Sequence, residues 1–161
     1  MAGPGQQGID YYNAVAADSE GNLFVAWTHA ERSSIFATVN RVNPNGSLTR
    51  IAGNGQPCAR TGEFNGRVPA LEARLCAVVG LAWDRNGLLN LLEGGRMVLR
   101  LTADRALERV AGNAEASSLG DGGPALQASL AGQGWPAIAF DPLGILHVSQ
   151  PGLNIVRIAS T

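Results

Sequence analysis

The sequence is poor in charge and has no basic stripe. Charged residues make up 16% of its 161 residues, and the formal net charge at pH 7 is -1. Proteins that contact nucleic-acid phosphates normally carry clustered Lys and Arg, so a nucleic-acid partner is not expected. No apolar run approaches the roughly 20 residues that cross a bilayer, so no membrane span is expected. The opening MAGPGQQG lacks the basic start and apolar middle of a signal peptide.

The residue types that build common metal and nucleophile sites are also scarce. Two cysteines and two histidines occur without a C-x-x-C pair, so a structural zinc site is not expected. No G-x-S-x-G elbow points to a hydrolase. The glycines of GDGGPA (120–125) are not followed by the Lys of a P-loop or by the distal Glu of an EF-hand. No cofactor is therefore indicated, and a catalytic role is the less favoured interpretation.

Glycines and apolar residues are abundant, and they are arranged in repeats. The 21 glycines and 45% hydrophobic content predict short buried strands joined by tight turns. Three segments share an apolar quartet, an Asp, two variable residues, a Gly and a second apolar run: AVAADSEGNLFVAW (14–27), GLAWDRNGLLNLLE (80–93) and AIAFDPLGILHVSQ (137–150). The period is 66 residues from Asp18 to Asp84 and 57 residues from Asp84 to Asp141. Such periods identify a repeat protein.

The turn chemistry within each copy predicts four short strands. In the Asp-x-x-Gly turns, Asp can accept hydrogen bonds from the turn backbone and Gly can adopt positive φ. NPNG (43–46) is a similar turn, and TADRA (102–106) takes its place in the second copy. Four-stranded units stacked around an axis are propeller blades. We therefore expect an all-β fold, a single segment over 1–161, with repeats at about 9–76, 77–134 and an incomplete 135–161.

Longer motifs carry a family resemblance. VNRVNPNGSLTRIAGN (39–54) aligns with VLRLTADRALERVAGN (98–113), and IVRI (155–158) begins a third copy, with Arg41, Arg100 and Arg157 at equivalent places. The AGN ends, together with LGDGGPALQASL (119–130), resemble the long-repeat bacterial form of NHL-repeat β-propellers. The resemblance implies a partial propeller of nearly three four-stranded blades. It also implies that GDGGPA connects the outer strand of one blade to the inner strand of the next, with Asp121 bonding its own backbone.

The first of these long connections differs from the second and is bracketed by two cysteines. It reads GQPCARTGEFNGRVPALEARLC and lacks GDGG. Cys58 and Cys76 either form a disulfide, which would stabilise the fold by roughly 3 kcal/mol, or remain free thiols. A disulfide would favour an exported or cell-surface protein, because cytosolic thiols are normally reduced.

The connections between second and third strands also depart from the family pattern, and we expect them to share a propeller face with the long connections. Variation on one face of a regular scaffold is typical of a binding surface for a protein or glycan. His29 is expected in a solvated loop just past the second strand, and His147 partly buried within a strand. Tyr11, Tyr12 and Trp135 are expected just before the inner strands. The candidate binding residues are His29, Glu31, Arg32, Glu93, Arg96, Gln150, Asn154, Tyr11, Tyr12 and Trp135.

An alternative function is a propeller hydrolase or lyase with a metal site in its central channel. The amidating lyases that resemble NHL proteins use several histidines, and two histidines cannot supply them. Lactonase-like propellers hold a metal with scattered acidic and amide residues that cannot be placed in this sequence.

Two complete blades and about three quarters of a third form an open arc. Its two end faces would expose more apolar surface than soluble monomers normally tolerate. We therefore expect either self-association or the remaining blades of a longer chain. MAGPG resembles the end of an outer strand, and in a six-bladed ring of two copies it could complete the last blade of the other copy.

Overall fold

The structure is a computed structural model that describes residues 8–58, 64, 66–113, 123–130 and 136–149, together with the backbone of 156–159. It contains three antiparallel sheets and, among these residues, no α-helix. The predicted all-β class is confirmed, and the arrangement is that of a partial β-propeller. None of the described helical segments has the length and apolar character needed to cross a membrane.

Each sheet contains one copy of the Asp-x-x-Gly turn between its first two long strands. The first sheet has the order β1-β2-β3-β4: β1 (Ile9–Ala17), β2 (Leu23–Glu31), β3 (Ser34–Val42) and β4 (Leu48–Ala52). The second has the order β5-β9-β8-β7-β6: β5 (Arg67–Pro69), β6 (Val78–Trp83), β7 (Leu89–Glu93), β8 (Met97–Leu101) and β9 (Ala106–Ala111). The third has the order β10-β11-β12: β10 (Ala137–Phe140), β11 (Ile145–Ser149) and β12 (Val156–Ala159).

The sheets pack face to face through two apolar clusters. Between the first and second sheets lie Phe24, Ala26, Val39, Leu91 and Leu99, each no more than 7% exposed. A second cluster joins the second and third sheets and includes Leu92, Val98, Ile138, Leu146 and Val148. The inner strands β1, β6 and β10 lie next to one another. Strand β7 is buried along its whole length, including its polar residues Asn90 and Glu93, because it has a sheet on each side.

The Asp-x-x-Gly turns have the predicted hydrogen bonds. In the second sheet, one carboxylate oxygen of Asp84 accepts the backbone N–H groups of Asn86 at 2.9 Å and Leu88 at 3.0 Å. Gly87 adopts a φ of 71°, a region that side chains other than Gly enter with strain. The turns at Asp18 and Asp141 repeat this pattern. The turn prediction is confirmed in all three copies.

The AGN motif holds the long connection that follows it. The backbone N–H of Gly53 donates to the carbonyl of Ala70 at 2.8 Å, and that of Asn54 donates to Ala73 at 2.8 Å. The amide side chain of Asn54 also donates to the carbonyl of Glu72 at 3.1 Å. These three bonds fix the PALEA segment (69–73) against the end of β4.

The second copy repeats the same three bonds. Gly112 donates to Ala125 at 2.9 Å and Asn113 donates to Ala128 at 3.1 Å through the backbone, and the Asn113 side chain donates to Gln127 at 3.0 Å. AGN followed by PAL-x-A is thus a docking motif between a strand end and the next connection. The preceding Asp121 lies outside the described residues.

A short strand in the first connection was not predicted. Strand β5 pairs with β9 through Val68 and Leu107, so the connection leaves the first sheet, adds a fifth strand to the outer edge of the second and then returns to β6. An ion pair between Arg67 and Asp104 closes the end of this added strand. The second sheet consequently has five strands rather than four.

Candidate binding surface

The first sheet extends beyond the second at the end where β2 turns into β3. Strands β1 and β6 have irregular pairing at equivalent places, with register shifts at Asn13 and Val79. Past this point β1 continues through residues 9–12, whereas β6 has only Val78. Strands β2 and β3 extend with it, and only Arg32 and Ser33 form the turn between them. We refer to residues 9–12 and 27–37 as the projection.

This geometry corrects three expectations. His29 is not in a solvated loop: it lies within β2, and its side chain is 20% exposed. Tyr11 and Tyr12 lie within β1 rather than before it. The connection between the second and third strands, expected to include His29, is only the turn at Arg32 and Ser33, because residues 29–31 and 34–41 pair as strands. The expectation for His147 is confirmed, since it is partly buried within β11.

The outer edge of the projection is supported by the first long connection. Strand β4 pairs only with the part of β3 from Val39 onwards. Nearer the turn, the backbone N–H of Ala37 donates to Leu75 at 2.7 Å, and that of Cys58 donates to Ile35 at 3.0 Å. A disulfide joins Cys58 to Cys76, with their Cα atoms 5.3 Å apart. The connection and its disulfide therefore brace the edge that β4 leaves free.

A charged cluster lies on the outward side of the projection, which faces away from the second sheet. The Nδ1 atom of His29 is 2.7 Å from a carboxylate oxygen of Asp10, and its Nε2 atom is 3.1 Å from one of Glu31. A neutral imidazole has only one N–H, so bonds to both carboxylates require the protonated ring. The hydrogen bond to Asp10 and then that to Glu31 raise the pKa of His29 above its ordinary value.

Aromatic rings lie beside this cluster. The rings of Trp27 and Phe36 meet edge to face with centroids 5.5 Å apart, and the ring of His29 lies 5.1 Å from that of Phe36. Tyr12, which pairs with Trp27 across the sheet, is 68% exposed. Edge-to-face contacts hold aromatic rings in fixed orientations. The projection therefore presents ordered aromatic and charged groups to solvent.

An open depression of about 720 Å³ continues from the projection onto the same face of the sheet. Its lining combines aromatic rings with hydrogen-bonding side chains: Tyr12, Trp27, Phe36, Thr38, Asn40, Arg50, Asn54 and Gln56 among others. Aromatic faces with a few polar groups are typical of ligand sites. The side chain of Asn40 donates to the Thr38 hydroxyl at 2.9 Å, so the base of this region is polar and ordered.

Of the five remaining predicted site residues, the two that the structure describes do not join this group. Glu93 is 3% exposed and its carboxylate accepts the backbone N–H of Cys76 at 3.0 Å, so it is not accessible from solvent. Arg96 is half-buried in the turn between β7 and β8. The other three, Trp135, Gln150 and Asn154, lie outside the described residues.

The acidic residues of the turns have structural roles. The second carboxylate oxygen of Asp141 lies 3.1 Å from Nε2 of His147. The pKa of the Asp141 carboxyl lies below its ordinary value, chiefly because it accepts the backbone N–H of Ile145. Among the described residues, no group of three or more His, Cys, Asp and Glu side chains could hold a metal ion.

The predicted binding residues did not include Asp10, Trp27 or Phe36. One signal was present: Asp18 and Asp84 are 66 residues apart, whereas Arg41 and Arg100 are 59 apart, so the first copy has seven extra residues between these positions. That difference falls within the projection. It indicates a longer structure between the second and third strands, although it does not distinguish extended strands from a loop.

Comparison with known proteins supports the fold alone. The sequence matches no model of a known protein family, and no curated protein matches it. The structure resembles a crystal structure of a structural genomics protein of unknown function from Bacteroides thetaiotaomicron VPI-5482, with a TM-score of 0.57 and 16% sequence identity. The match covers 85% of this chain and 44% of that one, so this chain spans less than half of the length of the solved protein.

Proposed function

We propose that this chain is an NHL-type propeller segment that acts as a binding module for a protein or glycan ligand, with the projection as its contact surface. The observation that supports this most directly is the projection itself. The strands of the first sheet are longer here than those of the second sheet. The added length carries exposed aromatic and charged groups close together.

The predicted face and the projection share five residues. Tyr11, Tyr12, His29, Glu31 and Arg32 all lie on the projection. Tyrosines that are 42% and 68% exposed offer large rigid contact areas at a low cost in conformational entropy. The polar base of the adjoining depression provides hydrogen-bonding groups for orientation. This combination suits a saccharide or a polar protein surface better than a purely apolar ligand.

The function can be tested by NMR on the isotopically labelled chain, with a panel of soluble oligosaccharides and peptides as probes. We expect at least one probe to cause saturable shifts in the backbone signals of Tyr12, Trp27 and Arg32. Signals of the turn at 84–87, at the opposite end of its sheet, should remain unchanged. Saturable shifts confined to that opposite end, or no saturable shift with any probe, would contradict the proposal.

A matched pair of variants sharpens the test. Tyr12→Ala removes an exposed ring from the projection and should weaken probe binding at least tenfold. Leu126→Ala removes a side chain of 46% exposure from the second connection and should leave binding unchanged. Equal weakening by both variants would show that the projection is not the contact surface.

A further inference from the structure

The floor of the depression differs from the equivalent face of the second sheet. The repeat alignment matches Asn40 to Leu99, and it matches Thr38, which directly precedes the aligned segment, to Met97. Met97 and Leu99 are fully buried in the apolar cluster between the first and second sheets. The floor of the depression is therefore polar where the repeat is otherwise apolar. Such a floor favours a ligand that carries hydrogen-bonding groups, because buried polar atoms without partners are costly.

Aromatic rings lie beside this polar floor. Tyr12 pairs with Trp27 across β1 and β2, and Trp27 pairs with Thr38 of the floor across β2 and β3. The face of an aromatic ring carries partial negative charge, so it attracts the weakly positive C–H groups of a sugar ring. The hydroxyl groups of the same sugar can bond to the floor. The combination suits a saccharide better than a peptide, whose apolar side chains would lie on a polar floor.

A positively charged side chain, Arg50, also lines the depression. It is exposed, and its Nη1 atom donates to the carbonyl of Asn54 at 3.2 Å. In the second copy, Nη1 of Arg109 donates to the carbonyl of Gly112 at 3.0 Å, so a bond from this arginine to the AGN segment belongs to the repeat. The bond holds the guanidinium in place and leaves its other N–H groups for a ligand. Within the described part of the chain, no ion pair joins Arg50 to a carboxylate.

The aromatic rings separate the positive charge of this face from its negative charges. The carboxylates of Asp10 and Glu31 lie beyond the rings, toward the turn of the projection. Arg50 lies on the other side of the rings, because it pairs with Asn40, two residues past Thr38 along β3. A negative group on a ligand is therefore favoured at the Arg50 end alone. Strands β2 and β4 are two strand spacings apart, about 10 Å, so a ligand that covers the rings and reaches the guanidinium is longer than one sugar ring.

We propose that the depression binds an acidic oligosaccharide, with sugar rings on Tyr12 and Trp27 and a carboxylate at Arg50. The inference rests on the proposed binding function, and it adds the chemical class of the ligand and the residue that selects it. A guanidinium can donate two parallel N–H groups to one carboxylate, and such charge-assisted bonds are stronger than bonds between neutral groups. A uronic acid carries a carboxylate of this kind on its sugar ring.

Calorimetric titration with a short oligogalacturonate and with its methyl ester tests the proposal. The ester keeps the sugar rings and their hydroxyl groups and removes the negative charge. We expect the wild-type chain to bind the acid at least about tenfold more tightly than the ester, and this preference should shrink at high salt. Arg50→Gln should bind the two probes equally. Arg50→Lys keeps the charge without the paired N–H groups and should retain part of the preference.

Arg74→Gln is the matched control, because Arg74 is exposed but lies on the first connection, outside the depression. It makes the same change in charge and should keep the full preference for the acid. Circular dichroism checks that each variant folds. Equal wild-type affinity for acid and ester, a full preference retained in Arg50→Gln, or tighter binding of a short polyglutamate peptide would overturn the acidic saccharide and leave the binding function standing. Failure of every saccharide and peptide probe would contradict the binding function itself.

Discussion

Removal of the Cys58–Cys76 disulfide should destabilise the protein by about 3 kcal/mol. The two cysteines are separated by 18 residues. In the chain-entropy treatment, closing a loop of this length lowers the entropy of the unfolded chain enough to stabilise the native state by roughly 3 kcal/mol. The native state also loses bracing, because Cys58 donates its backbone N–H to Ile35 on the projection. For a domain of this size, 3 kcal/mol corresponds to a fall in Tm of roughly 6–12 °C.

The assay is urea unfolding of the oxidised wild type and of the Cys58→Ser/Cys76→Ala double variant, followed by circular dichroism. Protein concentration is kept constant, because self-association would change the apparent stability. Reductant should lower the stability of the wild type to that of the variant and leave the variant unchanged. Two alkylatable thiols in the unreduced protein would show that the bond does not form. A difference below about 0.5 kcal/mol with the bond formed would refute the entropic argument.

Three further predictions test the local interactions. Gly87→Val should lower the free energy of unfolding by about 1–3 kcal/mol, because Gly87 has positive φ with open space around it, so the cost is backbone strain. Arg85→Ala in the same turn should lower it by less. Equal thermal midpoints for the two variants would contradict the turn assignment. Asp10→Asn should lower the pKa of His29 measured by NMR titration. In the wild type, the raised pKa of His29 means that this pairing contributes stability that is fully present below the ordinary His pKa and is lost as pH rises through the raised value. An unchanged His29 pKa in the variant would rule out the pairing of His29 with Asp10. Arg105→Gly should stabilise by up to about 1 kcal/mol in urea unfolding, because Arg105 adopts a φ of 63°; a loss of stability would indicate that the side chain contributes more than the backbone strain costs.

The repeats and turns could be predicted because their causes are local. An Asp followed three residues later by Gly specifies its own hydrogen bonds and its own positive φ, whichever sheet it enters. The placement of His29 could not be predicted in this way. Residues 28–37 form strands because Ile35 and Ala37 of β3 bond to Cys58 and Leu75, which are distant in sequence. Long-range pairing of this kind leaves no periodic signal in the segment itself.

The addition of β5 to the second sheet has a similar origin. Its three residues, 67–69, are too few to produce an alternating pattern. They become a strand because Val68 meets the free edge of β9, a partner that a repeat alignment does not identify. Variation among the copies predicted His29, Glu31 and Arg32 as binding residues, and all three lie on the projection. It did not predict Trp27 and Phe36, whose rings are brought together by the pairing of β2 with β3.

The first connection differs from the second at two places. By the shared PAL-x-A segment, GDGG (120–123) corresponds to residues 65–68, and β5 begins there at Arg67. Both long connections keep the PAL-x-A segment, since Asn54 and Asn113 must each hold one. The second difference lies near Cys58, which donates its backbone N–H to Ile35 of β3 beyond the reach of β4. A longer β3 leaves unpaired backbone groups at its edge, and such an edge requires a partner. The sequence near Cys58 and the length of the first sheet are therefore linked, because this part of the connection pairs with the extended edge of β3. A variant with residues 28–37 shortened to the length of 94–96 should consequently no longer depend on the disulfide for the order of its first sheet.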